Sequence, residues 1–192
     1  MMRLLRAADR TPQPWRNGGG VTADVFVSPA GAGLDAFAVR LSLARIEAAG
    51  PFSPFPGIDR TLTVVAGDLE LAVGGAPAVL LTPASAPFRF SGDAPVAARP
   101  TGSPVLAFNV MTRRGEACHR VERIRLAPGQ AMARDLRGAL LLWVEGDGVV
   151  EVGDETLAPG PLDALACPDP CRLTLSAGGT LHLVLAEFDG AC

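Results

Sequence analysis

Apolar and polar residues alternate along most of this chain, and a period of two is the signature of half-buried β-strands. Thr22–Val27 alternates. So does Phe37–Leu43, where Phe37, Val39, Leu41 and Leu43 share one face and Ala38, Arg40 and Ser42 the other. In Asp59–Val65, Arg60, Leu62 and Val64 stand on one side and Asp59, Thr61 and Thr63 on the other. Further strands are predicted at Asp68–Val73, Phe88–Ser91, Val96–Arg99 and Val105–Thr112. A second series follows at Arg120–Leu126, Leu140–Glu145, Gly148–Val152, Arg172–Ser176 and Leu181–Phe188. Only Leu43–Ala48 offers a short helical alternative. Many short strands separated by Gly and Pro turns predict an all-β sandwich or barrel.

The pattern also repeats. A shift of 79 residues lays Leu62-Thr63-Val64-Val65-Ala66-Gly67-Asp68 on Leu141-Leu142-Trp143-Val144-Glu145-Gly146-Asp147, and Gly74 on Gly153. Each copy reads as an apolar strand, a Gly-Asp turn, an alternating strand and a second Gly turn. Two similar β units are predicted, residues 1–112 and 113–192. Two stacked antiparallel barrels of the cupin type, a bicupin of double-stranded β-helix or jelly-roll strands, fit that arrangement.

Composition narrows the chemistry. With 192 residues, 48% of them hydrophobic and 19% charged, the chain is long enough for a sizeable core and is not a disordered segment. The longest apolar run, Ala139–Val144, is far too short to cross a bilayer. The N-terminal MMRLLRAADR lacks the apolar stretch of a secretory signal. All 17 basic residues are Arg, but they are dispersed and balanced by 20 acidic residues, so no nucleic-acid or membrane partner is expected. Cys118, Cys167, Cys171 and Cys192 are expected as thiols in an intracellular chain. Cys167-Pro168-Asp169-Pro170-Cys171 lacks the second Cys pair of a structural zinc site. His119 and His182 stand 63 residues apart with no second ligand nearby, so neither a metal nor any other cofactor is expected. No nucleophile elbow is present, and neither Lys nor Tyr occurs. General acid–base work would fall to a carboxylate, with Asp59 the best placed.

The candidate site lies in the first unit. Pro14-Trp15-Arg16-Asn17-Gly18-Gly19-Gly20 joins an indole, a guanidinium and an amide to three glycines that permit close backbone approach to a ligand. Gly50-Pro51-Phe52-Ser53-Pro54-Phe55-Pro56-Gly57-Ile58-Asp59-Arg60 is a stiff apolar loop that delivers Asp59 and Arg60 to the next strand. An Arg on a small barrel's strand must be paired or meet an anion. An Arg60–Asp59 or Arg40–Asp59 ion pair is the structural alternative to a ligand.

These two strings, with Phe37–Arg60 and the Phe108–Gly115 stretch FNVMTRRG, resemble the HutD/Ves family. The likeness is strong from Pro14 to Gly115 and weak afterwards. It implies a bicupin fold in small cytoplasmic bacterial proteins, some associated with histidine utilisation and others with stress response, with no firmly attached enzymatic activity. Position by position, it marks as ligand-binding Trp15, Asn17, Gly18, Gly19, Gly20, Arg40, Ser42, Ser53, Phe55, Pro56, Gly57, Asp59, Arg60, Asn109 and Met111. This chain departs from the pattern where Val39 and Ala94 replace Trp and Ala107 replaces Asp.

The leading expectation is a metal-free bicupin that binds a small anionic organic acid as a sensor or regulator linked to histidine utilisation. Arg would hold the carboxylate, Asn17 and Asn109 would read an amide or acyl group, and Trp15 and Phe55 would cover the apolar body. The alternatives are an isomerase, lyase or hydrolase with Asp59 as base and Arg40 or Arg60 as anchor, and a non-catalytic interaction scaffold. A homodimer is compatible with the fold class.

Overall fold

The computed structural model describes residues 2–190. The described residues form an all-β chain with one short 3₁₀ turn, Ala7–Asp9. No helix among them is long and apolar enough to cross a membrane. The strands are β1 (Arg3–Leu5), β2 (Gln13–Pro14), β3 (Gly20–Ser28), β4 (Val39–Ile46), β5 (Gly50–Pro51) and β6 (Ile58–Ala66). They continue with β7 (Leu69–Val73), β8 (Val79–Leu81), β9 (Phe88–Ser91), β10 (Val96–Pro100), β11 (Val105–Arg113) and β12 (Cys118–Leu126). The last are β13 (Ala131–Leu136), β14 (Ala139–Val152), β15 (Glu155–Leu157), β16 (Ala164–Cys167) and β17 (Cys171–Asp189).

Two compact units result. The first comprises Thr11–Cys118 and Gly190; the second takes the segment through Arg10 together with His119–Asp189. The boundary expected at 112/113 gave the N-terminal segment to the first unit. Backbone pairing decides otherwise, because β1 pairs antiparallel with β16, Leu4 opposite Leu165. Asp163 fixes that segment by accepting the Ala7 N–H at 2.7 Å and the Arg6 guanidinium at 2.9 Å.

In the first unit a six-stranded sheet, β2-β3-β4-β11-β6-β9, and a four-stranded sheet, β5-β10-β7-β8, enclose one core. Ala44, Ile46, Leu62, Val64, Leu69, Leu71, Val96, Val105 and Ala107 fill it. These positions recur every second residue, so the inner face is fixed by the alternation. Leu41, Leu43, Phe108 and Val110 on the opposite face of β4 and β11 are buried as well. Of Leu43–Ala48, the one helical alternative, Leu43–Ile46 is strand, because Ala44 and Ile46 belong to that core, and the last two residues lie beyond the strand.

The second unit is a sheet of order β1-β16-β14-β17-β12 with β13 and β15 attached. Its core is Ile124, Leu126, Leu141, Trp143, Val150, Leu165, Leu173, Leu175, Leu181, Leu183 and Leu185. The 79-residue repeat is visible in the backbone. Gly67 and Gly146 both have positive φ (75° and 109°), as do Gly74 and Gly153 (62° and 57°). The first copy turns between β6 and β7. The second runs on as the single strand β14, with register shifts at Trp143/Glu145 and Gly146/Gly148. Predicted Leu140–Glu145 and Gly148–Val152 therefore merge, as do Arg172–Ser176 and Leu181–Phe188 in β17. A β-bulge absorbs a Gly-Asp pair without ending the strand. A Cβ on Gly146 would lie 2.1 Å from the Thr180 carbonyl oxygen, which is why glycine stands there.

Cys118 is disulfide-bonded, contrary to the expectation of thiols throughout, whereas Cys167 and Cys171 are free. Cys192 lies outside the described residues.

Candidate functional site

Strand register assembles the site on the inner face of the first unit's larger sheet. One cross-strand row reads Val27, Arg40, Met111, Arg60, Phe90 along β3-β4-β11-β6-β9. The next reads Asp24, Ser42, Asn109, Leu62, Phe88. Directly opposed residues on neighbouring strands sit about 5 Å apart, so each row is a line of touching side chains. Arg40 and Arg60 flank Met111 at one level, and Ser42 and Asn109 lie beside them. Ser42 and Asn109 are buried at 1% and 4% exposure, and apart from the charged groups of these rows the face is aliphatic and aromatic.

Arg60 is the unusual member. It is 4% exposed, yet among the described residues it meets no carboxylate within ion-pair distance. Its Nη1 donates to the Ser53 carbonyl at 3.5 Å and its Nη2 to Asn109 Oδ1 at 3.4 Å, both long. Its Nε is buried without a partner. The guanidinium lies over three rings, with centroids at 5.4 Å for Phe52, 5.3 Å for Phe55 and 4.9 Å for Phe90. Ring faces attract a cation, by about 0.5–2 kcal/mol each, but supply no lone pairs for its N–H groups. Burial first, and then repulsion from Arg40, pull the Arg60 pKa down to about 10, so it stays charged at neutral pH. A buried guanidinium without a counter-charge costs several kcal/mol.

Arg40 is compensated. Its Nη2 stands 2.6 Å from Asp24 Oδ1. The Arg40 side chain is 11% exposed, whereas Asp24 is 39% exposed, so this inward-facing row opens to solvent at Asp24.

The other predicted residues divide sharply. Phe55 walls Arg60, Ser53 contributes its carbonyl, and Met111 packs with Phe37 and Ile58 beneath. Trp15 is bonded through Nε1 to Thr22 Oγ1 at 2.7 Å and stands edge-on to Phe52 at 6.0 Å, bracing the wall from behind. Asn17, Gly18, Gly19 and Gly20 do not join the row. Asn17 is exposed and its Oδ1 accepts the Gly19 N–H at 3.0 Å, while Gly18 N–H bonds the Trp15 carbonyl. The Gly18 and Gly19 N–H groups are thus spent within the turn. Gly20 is required for packing, since a Cβ there would lie 2.3 Å from the Arg45 carbonyl oxygen. Pro56 is exposed, and Gly57 serves a turn at φ 75°.

Asp59 points away from Arg60, as adjacent residues of a strand must. Neither expected pairing, Arg60–Asp59 or Arg40–Asp59, forms. Asp59 is instead bonded by Arg89 and Arg114, each at 2.9 Å. Burial works against its charge, but the Arg114 and Arg89 hydrogen bonds outweigh it and hold the carboxyl below the ordinary aspartate value. A carboxylate locked between two guanidiniums, on the far side of the strand from Arg60, is badly placed as a base for anything Arg60 holds. Arg114 also grips Asp93, whose carboxylate takes the Ser91 hydroxyl and the Gly57 N–H. That network pins the exit of the Phe52–Gly57 loop.

Sequence reasoning missed Asp24, Phe52 and Phe90. The alternation in Phe88–Ser91 could have flagged Phe90. The face of Asp24 was hidden, because the ladder slips between Asp24 and Phe26, which breaks the period of two.

In the second unit His182 Nδ1 bonds Glu145 at 2.8 Å and His119 is buried. Among the described residues, no three His, Cys, Asp or Glu side chains are grouped to hold a metal ion.

Two all-β units in one chain, with matching strand frames and a charged inner face in the first, define a bicupin. The chain belongs to the HutD family, whose model matches residues 7–185; the family is linked to histidine utilisation. An uncharacterized 21.2 kDa protein in the hutC 3′ region of Pseudomonas putida is 43% identical over 111 residues. That match spans 57% of this chain and only 57% of the Pseudomonas putida protein's length. Protein Ves of Cronobacter sakazakii is 31% identical over 146 residues, 76% of each chain. Among solved structures, the conserved protein of unknown function PA5104 from Pseudomonas aeruginosa superposes with a TM-score of 0.87 at 28% identity, over 98% of this chain and 99% of that one. HutD from Pseudomonas fluorescens gives 0.81 at 29% identity over the full length of both. Bacterial pirin YhhW from Escherichia coli gives 0.70 at 13% identity over 97% and 98%, a likeness of fold alone.

Proposed function

We propose that this protein binds a small organic anion on the inner face of its first unit, and that it serves histidine utilisation as a ligand-responsive regulator rather than as a catalyst. One observation carries the reading: Arg60 is buried, charged and without a carboxylate among the described residues. Its Nε lacks any acceptor. A ligand carboxylate would supply both the missing charge and the missing acceptors, bidentately. Asn109 and Ser42 stand beside it to bond a polar substituent, and Phe52, Phe55 and Phe90 offer apolar cover. The placement of Asp59 favours binding over the acid–base alternative, because Asp24, the only carboxylate on this inner face among the described residues, already serves Arg40. The family's link to histidine utilisation supports acids arising in histidine breakdown as the first ligands to try. Calorimetric titration of the wild type and Arg60→Met with such acids tests the reading. Heat with the wild type and none with Arg60→Met is expected; flat titrations of the wild type with every acid overturn it.

A further inference from the structure

The inner face counts charge as well as offering it. Two guanidiniums, Arg40 and Arg60, and one carboxylate, Asp24, are the charged groups of the two polar rows. The remaining inward positions around them, Leu62, Leu69, Leu71, Phe88, Phe90, Val96 and Ala98, are apolar. Asp24 cancels Arg40 at 2.6 Å. One positive charge is left over, and it sits at the deep end, on Arg60. The open end carries the partly exposed Asp24, whose Oδ1 faces Arg40. An occupant anchored on Arg60 and reaching outward would therefore meet first the Ser42 hydroxyl and the Asn109 amide, and then a carboxylate oxygen that can only accept.

From this juxtaposition we infer that the site selects a monoanion, with one carboxylate for Arg60 and an N–H-bearing arm for Asp24, and that Asp24 rejects acids carrying a second carboxylate. The inference rests on the reading of Arg60 as the anion anchor. The reason is electrostatic. A second carboxylate would bring like charge against Asp24 beside a low-dielectric wall, with no cation left to compensate it. An amide, amidine or azole N–H placed there gains a charge-assisted hydrogen bond instead. Discrimination would thus come from a repulsive element as much as from an attractive one. Arg40 takes the role of a tether that holds Asp24 in place.

Glutarate and its half-amide, glutaramate, have the same carbon skeleton and differ only at one end, so they isolate this property. In calorimetric titrations of the full chain at neutral pH, glutaramate is expected to bind at least about tenfold more tightly than glutarate. In Asp24→Asn, which keeps an oxygen for Arg40, glutarate is expected to gain affinity and the preference to vanish or invert. Damage to the fold would weaken both ligands and cannot produce that gain. Asp24→Ser repeats the measurement with a different side chain, and a thermal melt checks each variant. Equal binding of the two acids by the wild type overturns the inference, as does a preference unchanged in both Asp24 variants. If neither acid binds the wild type, the inference also falls. The Arg60 reading then survives only if some other monocarboxylate binds the wild type and not Arg60→Met.

Discussion

The two units use related strand frames for opposite ends. The 79-residue shift that lays Leu62 on Leu141 and Val64 on Trp143 also lays Arg60 on Ala139. Asn109, opposite Leu62, corresponds by strand pairing to Leu185, opposite Leu141. In the second unit that inner face is closed by Trp143, Leu165, Leu183 and Leu185, each at 1% exposure. In the first it carries Arg60, Asn109, Ser42, Arg40 and Asp24. One barrel has the interior of a scaffold, packed with aliphatic and aromatic groups. The other has given up that packing for a charge it does not itself neutralise. Dry packing and buried charge are divided between two copies of one design, and a polar residue at a repeat position whose twin is apolar marks where the candidate site lies.

The largest test of this contrast transplants the charge. Ala139→Arg would force a guanidinium into a core that offers it no aromatic cage and no amide. It is expected to destabilise by about 3–5 kcal/mol or to prevent folding, as followed by denaturant unfolding. Tolerance of the substitution with unchanged stability would mean that the second interior is not the dry core described.

The converse, Arg60→Met, is expected to abolish anion binding and to raise stability by about 1–4 kcal/mol, because an apolar chain among Phe52, Phe55 and Phe90 replaces a buried unpaired cation. A melt in the absence of ligand reads the sign. A clear loss of stability would show that ring faces and two long hydrogen bonds already satisfy Arg60.

The matched turn glycines sharpen the comparison at the backbone. Gly74→Ala meets open space and is expected to cost about 1 kcal/mol for its positive φ alone. Gly146→Ala adds a collision with the Thr180 carbonyl and is expected to cost about 2–3 kcal/mol or more. Equal losses would show that the bulge in β14 relaxes freely.

The smallest expected effect concerns acid. Asp59 and Asp93 titrate below the ordinary aspartate value when folded, Asp93 through Ser91, the Gly57 N–H and Arg114. A folded carboxyl with a depressed pKa contributes stability that is present above its unfolded value of 3.8 and lost as pH falls through the folded value. Arg114→Met should therefore flatten the acid limb of stability below about pH 4 and leave neutral pH little changed, since Asp93 and Arg114 are exposed and water screens their attraction. An unaltered acid limb would mean that Ser91, Arg89 and the backbone suffice.

Much of the first unit could be read from its residues. The alternation through β4, β6 and β11 put Arg40 with Ser42, and Arg60 with Leu62 and Val64, on the faces they occupy. It equally put Asp59 on the far side of the strand from Arg60, where a base for an Arg60-held group cannot stand. The Gly18–Gly20 turn misled for a different reason. Glycines report backbone freedom but not who receives their N–H groups, and here Asn17 and the Trp15 carbonyl receive two of them. Short edge strands such as β2, β5 and β8 left little pattern, because two or three residues cannot establish a period.

Local order along the chain was thus enough to establish the β class, the two-unit repeat and the membership of most strands, since each follows from the period at which side chains change face. Which strands lie side by side follows from nothing local. Pairing of β11 between β4 and β6 brought Arg40, Asn109 and Arg60 into neighbouring rows; a slipped ladder at Val25 turned Asp24 toward Arg40; and pairing of β1 with β16 assigned the N-terminal segment to the second unit. Charge balance on an inner face depends on such distant neighbours, because Coulomb energy is set by distance in space and by exclusion of water, neither of which is written in the order of residues.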